Sequence, residues 1–162
     1  MINELIERIL DREGGVADVG DGKGITRFGQ TPEWLEQFSL PSPTTREDAA
    51  INYRTWIDIV GLTAIVAPGD DLADIVLDIA VMSSAPKAIK ALQVCLMVKV
   101  DGVLGDGTKT ALVGADRAKL ARAVIAWDMA FQGRLITQNP TQRARYAAGW
   151  ANRMAGHVRR LA

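Results

Sequence analysis

Apolar residues recur at helical spacing through almost the whole of the 162-residue chain. Ile2, Leu5, Ile6, Ile9 and Leu10 form the first stripe, and Gly14-Gly15 end that helix near residue 12. Residues 16–30 break the pattern. They are polar and glycine-rich, and they predict a turn-rich segment with at most a small hairpin. Thr31-Pro32-Glu33 then starts a helix, with Thr31 at the N-cap and Pro32 in the first turn, leading into Trp34, Leu35 and Phe38. Leu40-Pro41-Ser42-Pro43 reads as a linker. Thr45 caps the next helix, which carries Ala49, Tyr53, Trp56, Ile57 and Val60 and stops at Gly61.

Pro68-Gly69-Asp70 predicts another start, with Leu72, Ile75, Val76 and Ile79 on one face. Ser84-Ala85-Pro86 marks a break and a new helix bearing Ile89, Leu92 and Leu96. The run from Asp101 to Thr108 is a double turn, with Thr108 expected to cap a short helix to Leu112. A long helix follows from about residue 116, and Asn139-Pro140 opens the last one, with Trp150, Met154, Val158 and Leu161 on its buried side. The pattern predicts an all-α chain, and no internal repeat or heptad array interrupts it.

Charge divides this helical chain in two. The totals balance at 19 basic and 19 acidic residues. Residues 1–81 carry 6 Lys/Arg against 15 Asp/Glu, a net of −9, and residues 82–162 carry 13 against 4, a net of +9. We therefore expect a subdomain boundary near residue 83, giving regions 1–83 and 84–162. The asymmetry suits either an anionic partner, such as a cell envelope or a nucleic acid, or mutual attraction of the two halves. The acidic first half and the lack of a recognisable recognition helix argue against nucleic acid.

Composition excludes other classes. At 48% hydrophobic and 23% charged residues, the chain is ordinary for a globular protein. No apolar run is long enough to span a membrane, and the acidic start lacks a secretory signal. The one cysteine, Cys95, sits in an apolar run and reads as a small core residue. His157 lies among arginines and is expected to be solvated. One His and one Cys argue against a zinc amidase or a Cys-His peptidase, and no metal or organic cofactor is expected. Neither a phosphate-binding loop nor a nucleophile elbow occurs.

The stretch from Glu13 to Thr31 carries the candidate chemistry. Glu13 stands at a helix end before two glycines, where partial desolvation would suit a general acid; the bland alternative is an exposed helix-terminal carboxylate. Asp21 and Thr26 follow in the polar segment. Together they could position water and offset positive charge on a sugar carbon, or serve as a turn former and a strand residue. Asp18 competes with Asp21 for the carboxylate role. Tyr53 and Trp56 read as core, with Tyr53 also able to border a cleft. Gln93, Asp101, Gly102 and Gly105 either shape a groove or frame a turn. Trp150, Asn152 and Arg153 read as structural, fastening helix ends.

Leu10-x-x-Glu13-Gly14-Gly15, followed by Asp21-x-x-Gly24-x-Thr26-x-x-Gly29-x-Thr31, resembles the glycoside hydrolase family 108 lysozymes. Thr45…Ala49…Tyr53…Trp56 and Asp78-Ile79-Ala80-Val81 are similar to later segments of that family. Leu92-Gln93, Asp101-Gly102-Val103-Leu104-Gly105 and Gly149-Trp150-Ala151-Asn152-Arg153 resemble the peptidoglycan-binding module that often follows. The sequence departs from the pattern in four places: Lys23 replaces a glycine, the loop from Glu13 to Asp21 is one residue shorter, Gln30 replaces an apolar residue, and Met82-Ser83-Ser84 an Asn-Ser-Gly.

The resemblance implies a lysozyme-like helical domain over 1–83 and a helical peptidoglycan-binding subdomain over 84–162. It implies an N-acetylmuramidase of the phage endolysin type, with Glu13 as acid and Asp21 and Thr26 assisting. Asp18, Tyr53, Gln93 and Asp101 are the expected substrate contacts. Peptidoglycan is the expected partner of a monomer, and the basic final helix, with Arg143, Arg145, Arg153, Arg159 and Arg160, could meet an anionic outer-membrane surface. Accumulation in the host cytoplasm before release to the wall is the expected localisation.

Overall fold

The computed structural model describes residues 1–18, 24–67 and 71–162, with Asp18 and Gln142 described by their backbone. The expected all-α class holds. Eight α-helices, one 3₁₀ turn and a two-stranded sheet make up the described elements. The chain forms two compact units, Met1–Val66 and Ala67–Ala162.

In the first unit, helix α1 (Ile2–Glu13) buries Leu5, Ile6, Ile9 and Leu10, the stripe the spacing predicts. It packs against α3 (Arg46–Ile59). Arg46 fastens the pair from outside, with Nη2 at 2.7 Å from Glu7 and 2.6 Å from Asp11. Thr45 caps α3 through a reciprocal capping box with Asp48. Bonds from the Thr44 hydroxyl, the Thr44 N–H and the Thr45 N–H hold the Asp48 carboxyl down to about 2. Thr31 caps α2 (Pro32–Gln37). Between these helices Trp34, Phe38, Tyr53 and Trp56 form one aromatic cluster with centroids 5.5–6.4 Å apart. A 3₁₀ turn, Leu62–Ile65, adds two buried aliphatic side chains.

The second unit is built around α4 (Leu72–Met82). Every residue from Leu72 to Ala80 is buried, so α4 is a central helix rather than one with a single apolar face. It packs against α5 (Ala85–Leu96) and α7 (Arg117–Gln138). α6 (Asp106–Val113) rests on α5, and α8 (Pro140–Arg160) folds back along α7 after Asn139. The units therefore divide before α4, not near residue 83 where the charge changes sign. Apolar packing of α4 onto α5 and α7 outweighs the charge pattern. The start expected at Pro68-Gly69-Asp70 lies outside the described residues. Thr108 is not a cap: Gly105 holds that position, and Thr108 is buried inside the first turn of α6.

Candidate functional site

Glu13 is the last residue of α1. The helix stops because Gly14 takes φ 73° while its N–H still reaches Leu10 O at 3.2 Å. The chain then runs into a hairpin of β1 (Val16–Asp18) and β2 (Ile25–Arg27), with Ala17 opposite Thr26 and Asp18 opposite Ile25. Arg27 and Gln30 next exchange backbone bonds at 3.1 and 2.9 Å around a two-residue turn. Both central residues have positive φ, Phe28 at 52° and Gly29 at 78°, the signature of a tight primed turn. Phe28 is held in this unfavourable conformation from two sides. Its N–H donates to Gly15 O at 2.8 Å, and its carbonyl accepts from the Tyr53 hydroxyl at 2.9 Å.

That turn is the seat of Glu13. A Cβ added to Gly29 would lie 2.6 Å from Glu13 Cγ, 2.7 Å from Oε2 and 2.8 Å from Cβ. The glutamate side chain lies directly on the bare Gly29 backbone and is half-buried there. A helix end and a strained turn thus fix one carboxyl group, the kind of preorganisation that acid catalysis uses. Thr26 is half-buried on the strand that leads into the turn. Asp21 and the Asp18 side chain lie outside the described residues.

Two polar side chains fasten the turn to α3. Gln30 is buried, donating from Nε2 to Ala49 O at 2.9 Å and accepting from Asn52 Nδ2 at 2.8 Å. Asn52 also donates to Pro41 O at 2.8 Å. The polar residue at position 30 is therefore matched by a buried partner, which its own segment could not reveal. Tyr53, expected near the substrate, is buried in the aromatic cluster, and its hydroxyl holds Phe28. It positions the turn under Glu13.

Gln93 and Asp101 meet in the second unit. The Gln93 amide is buried and clamps the loop before α6. Nε2 reaches Asp101 Oδ1, Val103 O and Thr108 Oγ1 at 2.9–3.1 Å, and Oε1 accepts the N–H groups of Asp101 and Gly102. This is the turn-framework arrangement. Gly102, at φ 79°, backs onto Pro86 O and Lys90, where an added Cβ would stand 3.1 and 3.0 Å from its neighbours, a tight fit in a conformation that favours glycine. Asp101 is exposed, and the Gln93 bond first, then the Val103 N–H, holds its carboxyl below the usual range. It borders a groove of roughly 220 Å³ lined also by Lys99, Val103 and Gly105. Cys95 is half-buried, and burial pushes its thiol up.

A buried charge network in the second unit escaped the sequence reading. His157 is buried, not solvated. Its Nδ1 lies 2.5 Å from Arg160 Nη2, and a guanidinium can only donate, so Nδ1 accepts. This assigns the proton to Nε2, which donates to Asp78 Oδ2 at 2.7 Å. Arg153 Nε bonds both Asp78 oxygens at 2.9 and 3.0 Å, and Arg160 bonds Asp74 at 2.7 Å. Arg153 therefore fastens a buried carboxylate on α4 rather than a helix end. Asp128 is buried beside this network, and desolvation pushes its carboxyl up to about 6 against bonding from Gln132. The signal was present: two aspartates inside the apolar run of α4 must find partners. Arg153 and Arg160 are thereby committed to carboxylates, which leaves Arg143, Arg145 and Arg159 of the final helix for any anionic surface. Among the described residues no His, Cys, Asp and Glu cluster suits a metal ion, and no helix is long and apolar enough to cross a membrane.

Comparison with known proteins bears on the two units differently. Residues 87–155, all in the second unit, match the family model described as "Predicted Peptidoglycan domain". The chain as a whole is similar in fold to the solved structure described as "Structure of Brucella abortus SagA". That likeness has a TM-score of 0.77 at 21% identity and covers 98% of this chain and 91% of that one. By sequence the chain matches no curated protein.

Proposed function

We propose that the protein is a peptidoglycan muramidase, hydrolysing the β-1,4 bond between N-acetylmuramic acid and N-acetylglucosamine. The observation that carries this reading is the seating of Glu13 on Gly29, which fixes a single half-buried carboxyl group beside a polar hairpin. The match of residues 87–155 supplies the substrate class, and the resemblance of the Glu13–Thr31 motif to family 108 lysozymes supplies the reaction.

Glu13, protonated, donates to the glycosidic oxygen as the C–O bond breaks. Asp21, helped by Thr26, orients water or faces the oxocarbenium-like carbon; water then adds there and gives its proton to a carboxylate, Asp21 in the first case and Glu13 in the second. The step draws on side chains alone and uses no metal or organic cofactor. The enzyme would act at the cell wall as a monomer, reached from the host cytoplasm through a membrane lesion.

The test is reducing-sugar release from purified Gram-negative peptidoglycan by the parent and by Glu13→Gln. Release by the parent, lost in a variant with an unchanged circular dichroism spectrum, is the expected result. Release by both would remove Glu13 from the mechanism. One observation favours a second reading, binding without hydrolysis: the matched segment contains no residue of the unit that holds Glu13. Sedimentation with sacculi and no sugar release from the parent would establish that reading instead.

A further inference from the structure

Aromatic rings left at a helix surface offer flat apolar faces to a ligand. The second unit carries two such pairs. On α7, Trp127 and Phe131 are half-buried, with ring centroids 5.5 Å apart and planes within 6°. Lys87 Nζ stands 4.1 Å from the Phe131 centroid, and Arg134 Cζ 5.8 Å. The grouping recurs on α8. Tyr146 and Trp150 stack at 5.9 Å, and Arg145 lies 4.7 Å from the Tyr146 centroid. Both groupings fall inside the segment that matches the peptidoglycan family model.

Charge narrows the partner. From Met129 to Ala162 the chain has no Asp or Glu. Arg134 and Arg145 form no ion pair among the described residues. Asp128, next to Trp127, is buried and interacts with Lys87, so it offsets part of that one cation's charge, while the chain from Met129 onward stays positive. A wholly apolar partner would desolvate the cations without repayment. An amino-sugar strand that bears carboxylates meets both features. The C–H face of a pyranose packs on a ring, and its acidic substituents pair with the cations.

We propose that the Trp127–Phe131 stack, with Lys87 and Arg134 beside it, is a binding subsite for the glycan strand of peptidoglycan. One sugar ring lies on the aromatic face, and acidic groups of the strand pair with the two cations. This rests on peptidoglycan being the ligand and is independent of hydrolysis at Glu13.

The test is co-sedimentation of the full chain with purified sacculi, in a Glu13→Gln background so that the polymer stays intact. Adding Trp127→Ala should weaken binding about tenfold, the scale of one lost aromatic contact. Truncating a half-buried tryptophan can also loosen the fold, so Arg134→Gln, at an exposed position, is the second variant. It should weaken binding about threefold and flatten its salt dependence, with an unchanged melting curve. Three results overturn the proposal: unchanged binding in both variants, no sedimentation of the Glu13→Gln chain, or displacement by a single-stranded oligonucleotide but not by soluble glycan fragments. Sugar release in the same tubes judges the role of Glu13 separately.

Discussion

Adding one methyl group at Gly29 tests whether the turn really seats Glu13. The new Cβ would stand 2.6 Å from Glu13 Cγ and 2.8 Å from its Cβ. Rotating the glutamate can relieve the first contact. It cannot relieve the second, because Glu13 Cβ is fixed by the backbone of α1. Either the helix end or the turn must move. The backbone adds a second cost, since φ is 78° and a left-handed conformation costs a residue with a Cβ about 1–2 kcal/mol. Gly61→Ala isolates that cost. Gly61 has φ 73° in the same unit, with nothing within 4 Å of an added Cβ. We expect Gly61→Ala to lose about 1 kcal/mol and keep its activity. Gly29→Ala should lose about 2–3 kcal/mol and remain folded. Its hydrolysis of peptidoglycan should fall about 100-fold, since a displacement near 1 Å costs that much at a positioned group. Urea unfolding gives the stabilities, and sugar release per folded molecule gives the rates. If Gly29→Ala matches Gly61→Ala in both, Glu13 is not held by this turn.

Three further predictions concern the second unit. Asp128 titrates near 6 in the folded protein and at 3.8 when unfolded, so the folded form keeps a proton that the unfolded form has lost. Stability therefore falls as pH rises from about 4 to 6, by at most about 3 kcal/mol. Asp128→Asn should gain relative to the parent across that window in urea titrations, and a pH-independent difference refutes the assignment. Arg153→Met removes two bonds from buried Asp78 and should cost about 3 kcal/mol; a loss under 1 kcal/mol would mean that the other partners of Asp78, His157 among them, satisfy the carboxylate. Gln93→Met leaves the Asp101 and Gly102 N–H groups without their acceptor and should cost about 2 kcal/mol. Hydrogen exchange should speed up at those two amides, and unchanged exchange there counts against the clamp.

The local elements were largely legible. Gly14-Gly15 end α1, Thr31 and Thr45 cap α2 and α3, Ser84 caps α5, and the Asn139-Pro140 step separates α7 from α8. Each rests on contacts within a few residues, which a sequence displays directly. The failures have a different origin. The spacing predicts Thr108 as a cap, but it lies inside the first turn of α6, bonded to Gln93 Nε2 at 3.1 Å. The expected boundary near residue 83 followed charge, whereas burial of α4 divides the chain earlier.

In the candidate site the division is the same. Glu13 was identifiable from its place between a helical stripe and two glycines. That Gly29 forms its seat, that the hydroxyl of Tyr53, a residue read as core and able to border a cleft, holds the turn, and that Gln30 is matched by Asn52 all came from folding. So did the burial of His157 between arginines of its own helix and an aspartate 79 positions away. Periodicity, caps and glycines act over one or two turns of chain, so composition and order suffice to place them. Which polar side chain is withdrawn from water depends on a partner brought close by packing, and only the tertiary structure supplies that partner.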